Sequence, residues 1–145
     1  MSMNLFFRGF TQQQIDAMKQ DHSLIDRLIE NKEYTLESDI ETAWDVLGNI
    51  LNGAGIWAGK RIEQALYNGC ELISAEEVKN EADKLSEWTH EDILKKLRVL
   101  EEEDELYHLE VFLEDEEYLL EQFDKLVEFY ETASEQNLAA LSYPA

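Results

Sequence analysis

Three times along this chain a serine or threonine stands three residues ahead of a glutamine or glutamate, with apolar residues at helical spacing behind it. The pairs are Thr11 with Gln14, Ser38 with Glu41, and Ser74 with Glu77. Each can close a capping box: the hydroxyl accepts the N–H of the third helical residue, and that residue's side chain reaches back to the cap. Helices are therefore expected to open behind residues 11, 38 and 74. The first turns Ile15 and Met18 inward. The second is the clearest in the chain, with Ile40, Ala43, Trp44, Leu47, Ile50 and Leu51 on one side, and Gly53 is expected to end it in the left-handed conformation. The third carries Val78, Ala82, Leu85 and Trp88. Trp44 and Trp88 both fall on core stripes.

Further helices follow from the same periodicity. Asp21 can cap one with a stripe of Leu24, Ile25, Leu28 and Ile29, and Thr89 can cap one with Ile93, Leu94, Leu97 and Leu100. Ile62, Ala65 and Leu66 suggest a short helix stopped by Asn68-Gly69. A late helix carries Leu119, Leu120, Phe123, Leu126, Val127 and Tyr130. The segment 106–113, "LYHLEVFL", reads equally as a strand or as the start of that late helix. Strands are expected at residues 3–10, 70–74 and 137–144. The fold class is then α+β, a small antiparallel sheet using the N- and C-terminal strands, with several amphipathic helices covering one face of it. A chain of 145 residues fits a single domain over 1–145, and a domain of that size buries ~68–70% of its unfolded surface. Its single cysteine, Cys70, excludes an internal disulfide. The start "MSMNLFFRGF" lacks the features of a signal peptide, and no apolar run approaches the ~20 residues that span a bilayer. The expected setting is the cytoplasm.

The stretch "NGAGIWAGKR", 52–61, holds three of the six glycines. A phosphate loop needs a glycine five residues before Gly59 and a hydroxyl after Lys60, but Ala54 and Arg61 stand there. The dinucleotide fingerprint fails because the third glycine falls one residue late. The stretch reads as a bend between elements. Trp57, within it, is either an anchor for a partner or a plug folded back on the core. His22, His90 and His108 lie in different elements without metal-ligand spacing, and Cys70 stands beside Glu71, which raises a thiol's pKa rather than activating it. The sequence gives no case for catalysis, a metal or a cofactor.

Charge is the other constraint. The formal net charge is −21. Residues 99–145 carry 15 acids and one base, Lys125, and the stretch Glu101–Glu121 holds eleven acids with no lysine or arginine. Such a field repels nucleic acid and anionic membranes and speeds encounter with basic proteins. The candidate partner-binding residues are Glu101, Glu102, Glu103, Asp104, Glu105, Glu114, Asp115, Glu116, Glu117 and Trp57. The function expected from these is an acidic, non-catalytic binding protein, such as an immunity or inhibitor protein neutralising a basic toxin or nuclease. Two alternatives stand beside it. One is a small-ligand-binding domain or enzyme with a site near the 53–61 loop, where Lys60 and Arg61 would hold an anion. The other is a housekeeping protein whose acidity serves solubility.

The chain also resembles a family. Its opening "MSMNLFFRGF" is similar to the start of the YfbM-like bacterial proteins, a family of unknown function. The segment "LESDIETAWDVLGNILNG", 36–53, resembles that family's helix, with Trp44, Asp45, Leu47, Leu51 and Gly53 at matching positions. "IEQALYNG", 62–69, is similar to a family segment ending in a small turn. The loop after Gly53 departs from the family, in which it is usually longer and contains proline. The resemblance implies an α+β fold and a bacterial or phage origin. It implies no activity and no catalytic residue.

Overall fold

The computed structural model describes residues 2–101 and 104–145. The N- and C-terminal strands, β1 (Leu5–Phe10) and β5 (Ala139–Pro144), pair antiparallel from Leu5 opposite Pro144 to Phe10 opposite Ala139. Asn4 and Ala145 extend the pairing with two backbone hydrogen bonds of 2.8 and 2.9 Å. Strand β2 (Leu36–Asp39) flanks β1, β4 (Cys70–Ile73) flanks β5, and β3 (Lys60–Ile62) closes the far edge. The order is β2-β1-β5-β4-β3, antiparallel throughout. The terminal strands are thus the centre of the sheet, which explains their nearly continuous apolar character: a strand covered on both faces has no polar side to show.

Helices cover both faces, not the single face expected. Leu5, Phe7, Ile73 and Ala140 point into the larger core. That core is built with α3 (Trp44–Ile50), α4 (Ala75–Ser86), α5 (His90–Arg98), α6 (Leu109–Glu114) and α7 (Glu116–Glu135). Phe10, Cys70, Leu72, Ala139 and Leu141 face the other way. There they meet Ile15 and Met18 of α1 (Gln12–Gln20) and Ile25 of α2 (Ser23–Glu30). Beside this second core the Arg8 guanidinium lies over the rings of Phe6, Tyr34 and Tyr143, at 5.3, 4.8 and 5.7 Å. It donates to the carbonyls of Phe7 and Ser38.

The capping boxes at Thr11 and Ser74 form as expected, and Thr89 forms another with Asp92. Asp21 accepts the N–H of Ser23 at the start of α2. The box at Ser38 does not form. Residues 36–39 pair with β1 instead, because an unpaired edge of β1 would leave its N–H and C=O groups without partners. The Asp39 carboxylate accepts the Glu41 N–H at 2.7 Å. A 3-10 turn at Glu41–Ala43 then leads into α3. The short helix expected over 62–69 is likewise absent: β3 ends at Ile62 and the chain continues in bends and turns. Residues 106–113 lead into a helix, α6, separate from α7. Asp115 breaks the two apart and caps α7 through the N–H of Tyr118.

Because α3 begins only at Trp44, its core side differs from the expected one. Ile40 and Leu47 are fully buried and Leu51 nearly so, while Trp44 is half-buried and donates its indole N–H to the Met3 carbonyl at 2.9 Å. An indole needs a partner for that N–H, which favours a position at the edge of a core. Trp88 is half-buried as well. Phe7 is fully buried at the middle of β1, with its ring 5.3 Å from Phe129 and 5.9 Å from Tyr130. Phe7→Ala is expected to cost about 3–5 kcal/mol, read as a lower urea midpoint at unchanged slope.

Candidate functional site

The glycine-rich stretch folds as one continuous bend. The C-terminus of α3 closes with the Asn52 N–H on the Asn49 carbonyl and the Gly53 N–H on the Gly48 carbonyl. This is a Schellman arrangement. Asn52 takes the left-handed position expected of Gly53, and Gly53 follows it, also at positive φ. Gly55 then sits between α4 and α7. Its N–H donates to Glu81 Oε1 at 2.9 Å, and its carbonyl accepts from the Tyr130 hydroxyl at 2.8 Å. Gly59 passes so close to β4 that a Cβ there would meet the Leu72 carbonyl oxygen at 2.3 Å.

These contacts explain why the bend is no phosphate cradle. A cradle presents free N–H groups to an anion. Here the N–H groups of Ile56 and Trp57 go to the Gly53 carbonyl, and those of Gly55 and Ala58 go to carboxylates, Glu81 and Glu71. A phosphate would meet acids in place of donors.

Trp57 is neither a plug nor fully free. Its ring lies on the backbone of α3, where Cβ atoms at Gly48 and Gly53 would come within 2.8 and 2.9 Å of it. The side away from the glycines stays open, and the residue is 57% exposed. Trp57, Trp44 and Ile56 wall a cavity of about 230 Å³. Its floor is the sheet: Leu5 of β1, Ser142 and Pro144 of β5, Glu71 of β4 and Arg61 of β3. Residues 71 and 142 are register partners, as are 61 and 71. The Arg61 guanidinium turns toward Glu63, at 3.2 Å, and the Asn68 carbonyl, at 2.9 Å. Glu71 Oε2 accepts only the Ala58 N–H, at 3.3 Å, and among the described residues no cation lies within ion-pair distance of it. Burial raises the Glu71 carboxyl above its usual range, against the lowering effect of that hydrogen bond and of Arg61. On the second face, burial pushes the Cys70 thiol up to about 12.

The acidic segment runs from α5 to α7. Glu102 and Glu103 lie outside the described residues. Glu101, Asp104, Glu105, Glu114, Asp115 and Glu117 are exposed, and Glu116 is half-buried. Some have work within the fold: Asp104 accepts the Glu101 N–H, Asp115 caps α7, and Glu116 receives two bonds from Arg98 at 2.8 and 2.9 Å. That pair holds the Glu116 carboxyl below its usual range. The segment is tied to α3 by Tyr107. Its N–H donates to Asp45, its hydroxyl accepts from the Met3 N–H, and its ring lies 5.4 Å from that of Trp44. The sequence marked Trp57 and the acids, and it marked Arg61 only with Lys60 as a holder of an anion. It did not mark Glu71 and Ser142 as site residues, and only strand pairing brings them together with Arg61.

Two predictions follow from this geometry. Tyr130→Phe removes the donor to the Gly55 carbonyl and is expected to cost about 1–3 kcal/mol, measured by urea denaturation. Glu71→Gln is expected to raise the melting temperature at neutral pH. The folded carboxyl has a higher pKa than the unfolded one, so its ionisation opposes folding above that pKa, and the penalty fades as pH falls toward the unfolded value of ~4.3. The variant's advantage should therefore vanish in melting curves taken near that pH.

The family model described as a domain of unknown function, DUF1877, matches residues 1–143. The structure of YfbM from Escherichia coli, a protein of unknown function, is similar with a TM-score of 0.68 at 14% identity, over 100% of both chains. At that identity the likeness is one of fold. No curated protein matches the sequence.

Proposed function

The chain belongs to the DUF1877 family, and for it we propose a non-catalytic role: an acidic binding protein that neutralises a basic protein partner, as an immunity or inhibitor protein does with a basic toxin or nuclease. One observation carries this reading. Glu101, Glu105, Glu114 and Glu117 are exposed, and among the described residues none of them has a cation within ion-pair distance. Arg98, which reaches the first turn of α7, is committed to Glu116. Exposed carboxylates left unneutralised speed encounter with a positive patch and reject partners of like sign. The field that attracts a basic protein repels nucleic acid, so a nuclease partner would be met at its phosphate-binding cleft.

The test uses the natural host's lysate. Wild-type protein and a variant with Glu101, Glu105, Glu114 and Glu117 changed to lysine are immobilised at low and high salt. The fold is expected to survive, since exposed positions of this kind matter by under about 0.5 kcal/mol each. The expected outcome is a basic protein retained by the wild type at low salt, released as the Debye length falls from ~10 Å at 0.1 M to ~3 Å at 1 M, and lost in the variant. Equal retention by both would remove the support for this reading.

A further inference from the structure

We propose that the cavity between Trp44 and Trp57 is a binding site for a small organic ammonium compound with a flat apolar body. The site is separate from the acidic segment. Its walls are two indoles and Ile56, and its floor carries one carboxylate, Glu71, one hydroxyl, Ser142, and the apolar Leu5 and Pro144. Indole faces and a carboxylate together are the chemistry that recognises an organic cation: the rings attract the charge through their quadrupoles, and the carboxylate receives the N–H groups.

Three features fix the sign of the ligand. Glu71 uses one oxygen on the Ala58 N–H and has no cationic partner among the described residues. Arg61, the one cation on the floor, is bonded to Glu63 and to the Asn68 carbonyl and makes no ion pair with Glu71. The chain as a whole carries −21, which concentrates cations at its surface. Three features fix the size and shape. At about 230 Å³ the cavity is smaller than the ~300–1,000 Å³ of drug-sized sites. Trp57 rests against Gly48 and Gly53, where a Cβ at either glycine would come within 2.8 and 2.9 Å of it and force it to shift. Trp44 is fixed by its bond to the Met3 carbonyl. The walls are therefore set before a ligand arrives, which lowers the cost of binding.

The probe is 2-phenylethylammonium, titrated by calorimetry and by tryptophan fluorescence at physiological salt, beside 2-phenylethanol and 3-phenylpropionate. The amine is expected to bind with a Kd below about 1 mM, the alcohol about tenfold more weakly, and the acid not measurably. Glu71→Gln should weaken the amine about tenfold and leave the alcohol unchanged, while Trp57→Ala should weaken both. Glu131→Gln, an exposed acid on α7, should change neither. Affinity for the amine should fall as the pH is lowered and Glu71, whose carboxyl burial raises above its usual range, takes up its proton. The proposal is overturned if the acid binds more tightly than the amine, if neither Glu71→Gln nor Trp57→Ala alters amine binding, or if no probe binds. Trp57 is exposed at the rim, so its variant keeps the test decisive should Glu71→Gln misfold.

Discussion

The peptide of Gly55 is the joint on which this structure turns. Its N–H is held by Glu81 of α4 and its carbonyl by Tyr130 of α7. Both partners are buried, Glu81 at 6% exposure and Tyr130 completely. Burial, reinforced by the charge of Glu81, raises the Tyr130 hydroxyl well above its ordinary pKa, so it stays a donor. A buried backbone group without a partner is costly, and here one residue's two groups are satisfied by two different helices. Side chains crowd the glycine itself: a Cβ would meet Leu85, Leu126 and Tyr130 at 3.1–3.3 Å. The bend is thereby clamped between α4 and α7. Trp57, two residues on, inherits a fixed position from it.

Much of the frame was legible because it rests on local signals. The boxes at Thr11 and Ser74 bond only to their own helices, so neighbours along the chain suffice to define them. The strands at the two ends were readable from their apolar runs. Two of the errors share one cause, pairing with a distant segment. Ser38 and Glu41 carry the letters of a capping box, but the open edge of β1 claims residues 36–39, and Glu41 turns instead to the Tyr118 hydroxyl at 2.8 Å and to Lys125. Residues 60–62 pair with β4, which overrides the weak helical spacing of Ile62, Ala65 and Leu66. The second helical face was missed because α1 and α2 looked like any amphipathic helices. Only the sheet's two-sided apolar character, once its strands are central, demands cover on both sides.

The acidic segment and the cavity are connected through Trp44. Its indole N–H is fixed by the Met3 carbonyl, and the Met3 N–H is in turn bonded to the Tyr107 hydroxyl, with the two rings 5.4 Å apart. Tyr107 belongs to the acid-rich run and is held by Asp45. A partner pulling on that run would act on Tyr107, and through it on a wall of the cavity.

Glu71 is where the sequence works against its own stability. The positions around it on this face, Ile73 and Ala140, are apolar and buried. A leucine or valine at 71 would fill the cavity floor and remove a charge whose ionisation burial disfavours. Arg61, its cross-strand neighbour, does not close onto it but bonds to Glu63 and the Asn68 carbonyl. A fold optimised for stability alone would have made that pair or dispensed with the acid. Natural proteins break local rules of this kind at sites that serve something other than folding. A half-buried carboxylate with no cation within ion-pair distance among the described residues, set beside two indoles, is a break of that kind.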